Sequence, residues 1–182
     1  MKDDGLTIKI LGDPLLRRRS RPIKSISERH RKALSRMAQL MYGSSGIGLA
    51  APQVGINERM IVVDTGSGLY KLINPRIVMR QGHQVMQEGC LSVPGACIKV
   101  KRSKIVQVEA LDENAASVCV EAKDLLACVL QHEIDHLDGK LIVDYVSLPQ
   151  RLKIRRRLER LRKNSRNEGL PESEAESRKL QL

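Results

Sequence analysis

The chain has 182 residues, of which 41% are hydrophobic and 29% charged, proportions that exclude a disordered or fibrous protein and suffice for one domain with its own core. The formal net charge is +11, which points to an anionic partner, but Lys and Arg gather at 16–35 and 151–166, away from the nearly balanced middle of the chain. Phe and Trp are absent, so Leu, Ile, Val, Met and Ala must fill the core.

In chain order, Thr7–Leu11 reads as a short strand or extended arm, and Gly12-Asp13-Pro14 turns it. Ser25 with Glu28 forms a capping-box signature ahead of a helix at 27–42, where Leu34, Met37, Leu40 and Met41 make one apolar stripe. Gly43–Gly46 ends that helix. The pattern then turns to strands at Met60–Val63, Lys71–Ile73, Ile98–Val100, Ile105–Ala110 and Ser117–Glu121, which are rich in β-branched residues and separated by turn formers. A second helix is expected from about Lys123 to Leu137, with Asp138-Gly139 as its stop. A third begins near Ser147–Pro149 and runs to about Lys163; the polar, charged stretch 164–182 is expected to be a disordered tail. The order of elements suggests an α+β fold with an antiparallel sheet.

Cysteines occur at 90, 97, 119 and 128. No apolar run reaches the length of a membrane span, and Met1-Lys2-Asp3-Asp4-Gly5 lacks an apolar signal segment. The expectation is a cytoplasmic protein with reduced thiols.

Chemistry concentrates in Gln131-His132-Glu133-Ile134-Asp135-His136. Histidines at i and i+4 share one helix face and can reach one metal ion, with a glutamate on the same turn to move protons for its water. That is a layout for metal-assisted hydrolysis. The bland alternative is a charged helix with histidines at that spacing by accident; it is disfavoured because His132 continues the apolar stripe of Leu125, Cys128 and Val129. A third ligand has to come from elsewhere. Glu88-Gly89-Cys90-Leu91-Ser92 offers Cys90, beside a glycine that allows close backbone approach, although a small buried hydrophobe is the usual fate of a free cysteine. That usual fate suits Cys119 and Cys128. A further segment, Gly46-Ile47-Gly48-Leu49-Ala50-Ala51-Pro52-Gln53, lacks the preceding strand and third glycine of a dinucleotide loop. It reads better as an extended stretch along which a substrate backbone can lie, with Gln53 as an oxyanion donor.

Gly46–Gln53, Glu88–Ser92 and Gln131–His136 stand in the order and approximate spacing of the signature motifs of peptide deformylases, and over about residues 5–163 the chain resembles that family. The resemblance implies a metal-dependent hydrolase that removes the formyl group from the N-terminal formyl-methionine of nascent bacterial polypeptides. It implies that Cys90, His132 and His136 hold the metal, Fe2+ by family habit with Zn2+, Ni2+ or Co2+ as substitutes, since ligand softness permits several ions. Glu133 would act as base and then acid, and the Gln53 amide and Leu91 backbone N–H would stabilise the oxyanion. Gly46, Ile47, Gly48 and Gly89 would bind the substrate main chain. Ile47, Met86, Leu125, Cys128 and Val129 would line the methionine pocket, with His132 at its floor. The fold implied is a single catalytic domain, 1–163, of antiparallel sheets packed around a central metal-binding helix, with an N-terminal helix and a basic C-terminal helix at 148–163.

One departure from the family pattern is Cys97, where some relatives carry an arginine able to meet the substrate backbone. The basic segment 151–166 has nine Lys or Arg against Glu159 alone, and the resemblance suggests docking on the ribosome through phosphate contacts; a solvated helix is the simpler reading of most charge runs. Two other classes compete. A His-Glu-x-x-His zinc protease needs a downstream third ligand, but no histidine follows His136, and Asp138, Asp144 and Glu159 make no recognised pattern. An RNA-binding module with a structural metal would close its coordination with four ligands rather than three and would carry stacking aromatics.

Overall fold

The computed structural model describes residues 5–146, together with Leu152 and Glu159. The third helix expected at 147–163 lies outside the described residues apart from those two, and the tail 164–182 lies wholly outside them.

The first helix, α1, spans Glu28–Gly43. Its N-cap is Ser27, not Ser25. The Ser27 backbone N–H donates to His30 Nδ1 at 2.9 Å, so the imidazole does the work expected of Glu28. Leu34, Met37 and Met41 of the stripe are fully buried, each contributing about 1.5–3 kcal/mol relative to an exposed side chain.

Seven strands follow: β1 (Gly48–Ala50), β2 (Met60–Val63), β3 (Tyr70–Gln81), β4 (Gln84–Glu88), β5 (Ile98–Arg102), β6 (Ile105–Leu111) and β7 (Ser117–Lys123). They form an antiparallel five-stranded sheet in the order β1-β2-β3-β6-β7 and a separate antiparallel pair, β4-β5. The fold class is therefore α+β, as expected. β3 runs well past Ile73. A bulge between Ile73 and Arg76 accommodates Asn74, which has a positive φ, and Pro75, so the ladder with β6 resumes beyond them. The Asn74 side chain also clamps the N-terminal arm, accepting from Ile23 N–H and donating to Ile23 C=O, both at 2.8 Å.

β2 is buried along its whole length because the large sheet is covered on both faces. Met60 and Val62 face α1 with Leu34, Met37 and Met41. Ile61 and Val63 face the second helix, α2 (Asp124–Leu137), against Ala127, Leu130, Ile134 and Leu137. Gly139 stops α2 in the left-handed region at φ 73°, and a Cβ there would lie 2.7 Å from Arg17 O, so only glycine fits. A third apolar cluster joins the arm (Ile10, Leu11, Leu16) to β5 and to Leu141–Val143. The stretch expected as strand or arm at 7–11 is an arm, held by Lys9 N–H to Gln53 O (2.7 Å) and Leu11 N–H to Ser92 O (2.8 Å). Among the described residues no helix is long and apolar enough to cross a membrane.

Candidate active site

The site forms where α2 passes between the two sheets. Helical periodicity puts His132, Glu133 and His136 on the buried side of α2, where Glu133 is 3% and His136 1% exposed. β4 ends at Glu88, and the chain then turns through Gly89 to bring Cys90 opposite the histidines. His132 Nε2 lies 3.2 Å from His136 Nε2, and Cys90 Sγ lies 3.3 Å from His136 Nε2. These donor atoms all lie within 4.8 Å of one another.

The donor chemistry fits a metal ion. Glu88 is a carboxylate, because its hydrogen bonds from Arg102 and His132 outweigh burial and hold its pKa down to about 2. It therefore accepts from His132 Nδ1–H at 2.9 Å, which turns His132 Nε2 towards Cys90 and His136. Burial opposes charge on His132, but its bonds to Cys90 and Glu88 raise its pKa above the usual range, so a metal ion bound at Nε2 would displace a proton there; burial and the neighbouring His132 push His136 down. Three electron-pair donors thus converge on a small space, one with its tautomer fixed from behind, as a ligand set requires.

Glu133 is the remaining acid at the centre. Burial raises its pKa to about 7, and its Oε2 has no hydrogen-bond partner among the described residues. Gln53 stands on a short 3-10 helix, Ala51–Val54, capped by its own side chain: Gln53 Oε1 accepts from Ala50 N–H at 2.8 Å. Its Nε2 is thereby turned to Ser92 Oγ (3.1 Å) and Cys90 Sγ (3.7 Å). Leu91 lies on the turn directly after Cys90.

A cavity of about 330 Å³ opens onto this centre. Gly46, Ile47, Gly48, Gln53, Met86, Gly89, Cys90, Leu91, Leu125, Cys128, Val129, His132 and Glu133 all contribute to its wall, and His136 sits behind His132. Gly48 is required by close approach, since a Cβ there would lie 2.4 Å from Glu133 Oε1. Gly89 is not: its Cβ would meet only Ala96 O, at 4.0 Å. Cys97 is exposed, and so is Cys119, contrary to the expectation of a buried hydrophobe; it faces outward on β7, where Gln107 Nε2 reaches its sulfur.

The sequence reading passed over the groups behind the ligands. Arg102, 5% exposed, grips Glu88 with Nε to Oε1 (2.8 Å) and Nη2 to Oε2 (2.9 Å), and its Nη1 binds Asp135. Tyr145 donates to the same Asp135 oxygen at 2.6 Å. Gln131 pins α2 to the β5–β6 turn, accepting from Ser103 N–H and donating to Ser103 C=O. A signal for Arg102 was present: inward positions of β5 alternate Ile98, Val100, Arg102, and a cation on the core face requires buried acids.

A model of the polypeptide deformylase family matches residues 6–152. The chain belongs to that family. It is 51% identical over 135 residues to a peptide deformylase of Acetivibrio thermocellus, covering 74% of this chain and 79% of that one. It is 46% identical over 143 residues to one of Halothermothrix orenii, covering 78% and 93%. Among solved structures it is similar to a peptide deformylase from Legionella pneumophila (TM-score 0.81, 37% identity, 90% of this chain and 99% of that one) and to one from Synechococcus elongatus in complex with actinonin (TM-score 0.80, 41% identity, 88% of each). As a peptide deformylase, the chain removes the formyl group from the N-formylmethionine of nascent peptides. Its Cys90, His132 and His136 form a site that can bind the metal on which the family depends.

Proposed function

We propose the following division of labour for that reaction, carried by the convergence of Cys90 Sγ, His132 Nε2 and His136 Nε2 beside Glu133, whose Oε2 has no partner among the described residues. Those three side chains hold one Fe2+ ion, with Zn2+, Ni2+ or Co2+ able to replace it, which makes α2 the metal-binding helix of the fold. When bound, the ion supplies Lewis acidity and brings the pKa of a water molecule towards neutrality. Glu133 takes the proton of the attacking water and returns it to the leaving amine. The Gln53 amide and the Leu91 N–H receive the oxygen that gains negative charge; in other enzymes one such donor is worth about 3 kcal/mol of barrier.

Substrate placement follows from the sheet edges. Among the described strands β1 pairs only with β2, and β4 only with β5. Their free edges flank the cavity, so an extended peptide can add to them as a strand along Gly46–Gly48 and Gly89. Its methionine side chain then fills the space between Ile47, Met86, Leu125, Cys128 and Val129, where a flexible thioether suits aliphatic and sulfur-containing walls.

The proposal extends to the whole chain. Residues 1–163 form one catalytic domain that works in the cytoplasm, with 164–182 a tail beyond it. The basic segment 151–166, read as a C-terminal helix, meets ribosomal RNA, an anionic surface where the substrate emerges.

The test is direct. The chain purified anaerobically with Fe2+ or Ni2+ should release formate from formyl-Met-Ala-Ser; a metal-loaded chain that releases none would reject the proposal. Glu133→Ala should abolish turnover while the metal content stays at one ion per chain. Loss of metal in that variant would make Glu133 structural instead.

A further inference from the structure

Glu88 is buried, 6% exposed, and each of its oxygens accepts twice. Oε2 takes Arg102 Nη2 (2.9 Å) and His132 Nδ1 (2.9 Å). Oε1 takes Arg102 Nε (2.8 Å) and the Cys128 thiol (3.1 Å). Cys128 lies one helical turn before His132 on the same face of α2, so it and His132 reach one carboxylate from the same side. Cys128 is also part of the cavity wall.

We infer that Cys128 is a positioning residue for the metal centre: its S–H bond to Glu88 Oε1 fixes the carboxylate that orients His132, and so ties the wall of the side-chain cavity to the ligand set. The inference rests on the proposed metal site. An aliphatic side chain at 128 can build the same wall but offers no donor, which leaves one lone pair of a buried carboxylate unmet. A longer polar side chain offers a donor but fills the cavity. A thiol is small, largely apolar and still a donor. Burial and the Glu88 charge push its pKa up to about 12, so it keeps its proton and does not compete with Cys90 as a thiolate.

The test compares Cys128→Ser, Cys128→Ala and Cys128→Val in the full chain loaded with Co2+. Two quantities are followed: the rate at which excess chelator strips Co2+, and the visible Co2+ absorption bands. Serine keeps a donor at nearly the same volume, alanine removes it at similar size, and valine removes it while filling the wall. Groups behind metal ligands typically change affinity about 10–100-fold. The expected result is Co2+ loss within about threefold of the parent for Ser, and at least tenfold faster, with shifted bands, for both Ala and Val. Equal rates for Ser and Ala overturn the inference. So does fast loss in Ala alone with Val like the parent, since that pattern reports packing. If Val does not fold, the Ser–Ala pair decides. A parent chain that holds no Co2+ would sink the metal site itself, whereas a parent that holds it while all variants match sinks only the role of Cys128.

Discussion

A Cβ placed on Gly48 would lie 2.4 Å from Glu133 Oε1 and 2.8 Å from Val129 Cγ1, both on buried side chains of α2. Glu133 cannot yield without leaving the position from which, in the proposed mechanism, it moves protons. Gly48→Ala should therefore lower kcat at least tenfold while metal content, read by atomic absorption, stays unchanged. Gly89→Ala meets no comparable obstacle. Its melting temperature should match the parent, and under the proposed substrate placement any effect should fall on KM. If Gly48→Ala retains the parent kcat, the proton-transfer role of Glu133 at its present position is wrong. The contrast also marks what the sequence could tell. Both glycines stand in recognisable motifs, but only the packing of β1 on α2 distinguishes a glycine with no room for a side chain from one that has it.

Between elements, the link that matters most joins β4, β5 and α2 through Glu88, Arg102 and Asp135. Removing the cation from such a buried group leaves acids without compensation, at a cost of about 3–5 kcal/mol. Arg102→Met preserves most of the volume and should lower the melting temperature by roughly 10 °C in a domain of this size. Adding Glu88→Gln should give back part of that loss, since the pair is then neutral; calorimetry of the two variants checks both statements, and an unchanged melting temperature in Arg102→Met would contradict the first. This link was the least legible part of the site. β4, Gln84–Glu88, has only Val85 as a β-branched residue and becomes a strand through its register with β5. Once it is paired, Glu88↔Ile98 and Gln84↔Arg102 fix which side chains face inward. The α1 cap failed for a related reason: Ser25 with Glu28 fits the usual pattern, but His30 competes for the same task two residues further on and wins.

At the scale of the molecule, the apolar runs of β2 and the stripes of α1 and α2 made the two-sided sheet readable, and the three motifs made the site readable, because each is local in sequence. The joining of the motifs was not local, and it came from the resemblance rather than from spacing. Charge is distributed on the same large scale. Among the described residues the cavity wall holds Glu88, Glu133, His132 and Cys90 but no Lys or Arg, whereas 151–166 carries nine. Recognition of a short formylated peptide and attraction to a polyanion should therefore separate cleanly. Reversing Arg155, Arg156 and Arg157 to Glu in the full chain removes positive charge from the basic segment and leaves every cavity residue in place. Affinity for ribosomes, measured by co-sedimentation at low salt, should fall at least tenfold. The parent's own affinity should fall steeply as salt rises, with a log–log slope that the triple variant flattens, because each neutralised phosphate releases counterions. In the same preparations kcat/KM for formyl-Met-Ala-Ser should stay within about twofold of the parent, since none of the described cavity residues is altered. Ribosome binding that is the same for parent and variant at every salt concentration would remove the basic segment from the account and leave the formyl-peptide chemistry untouched.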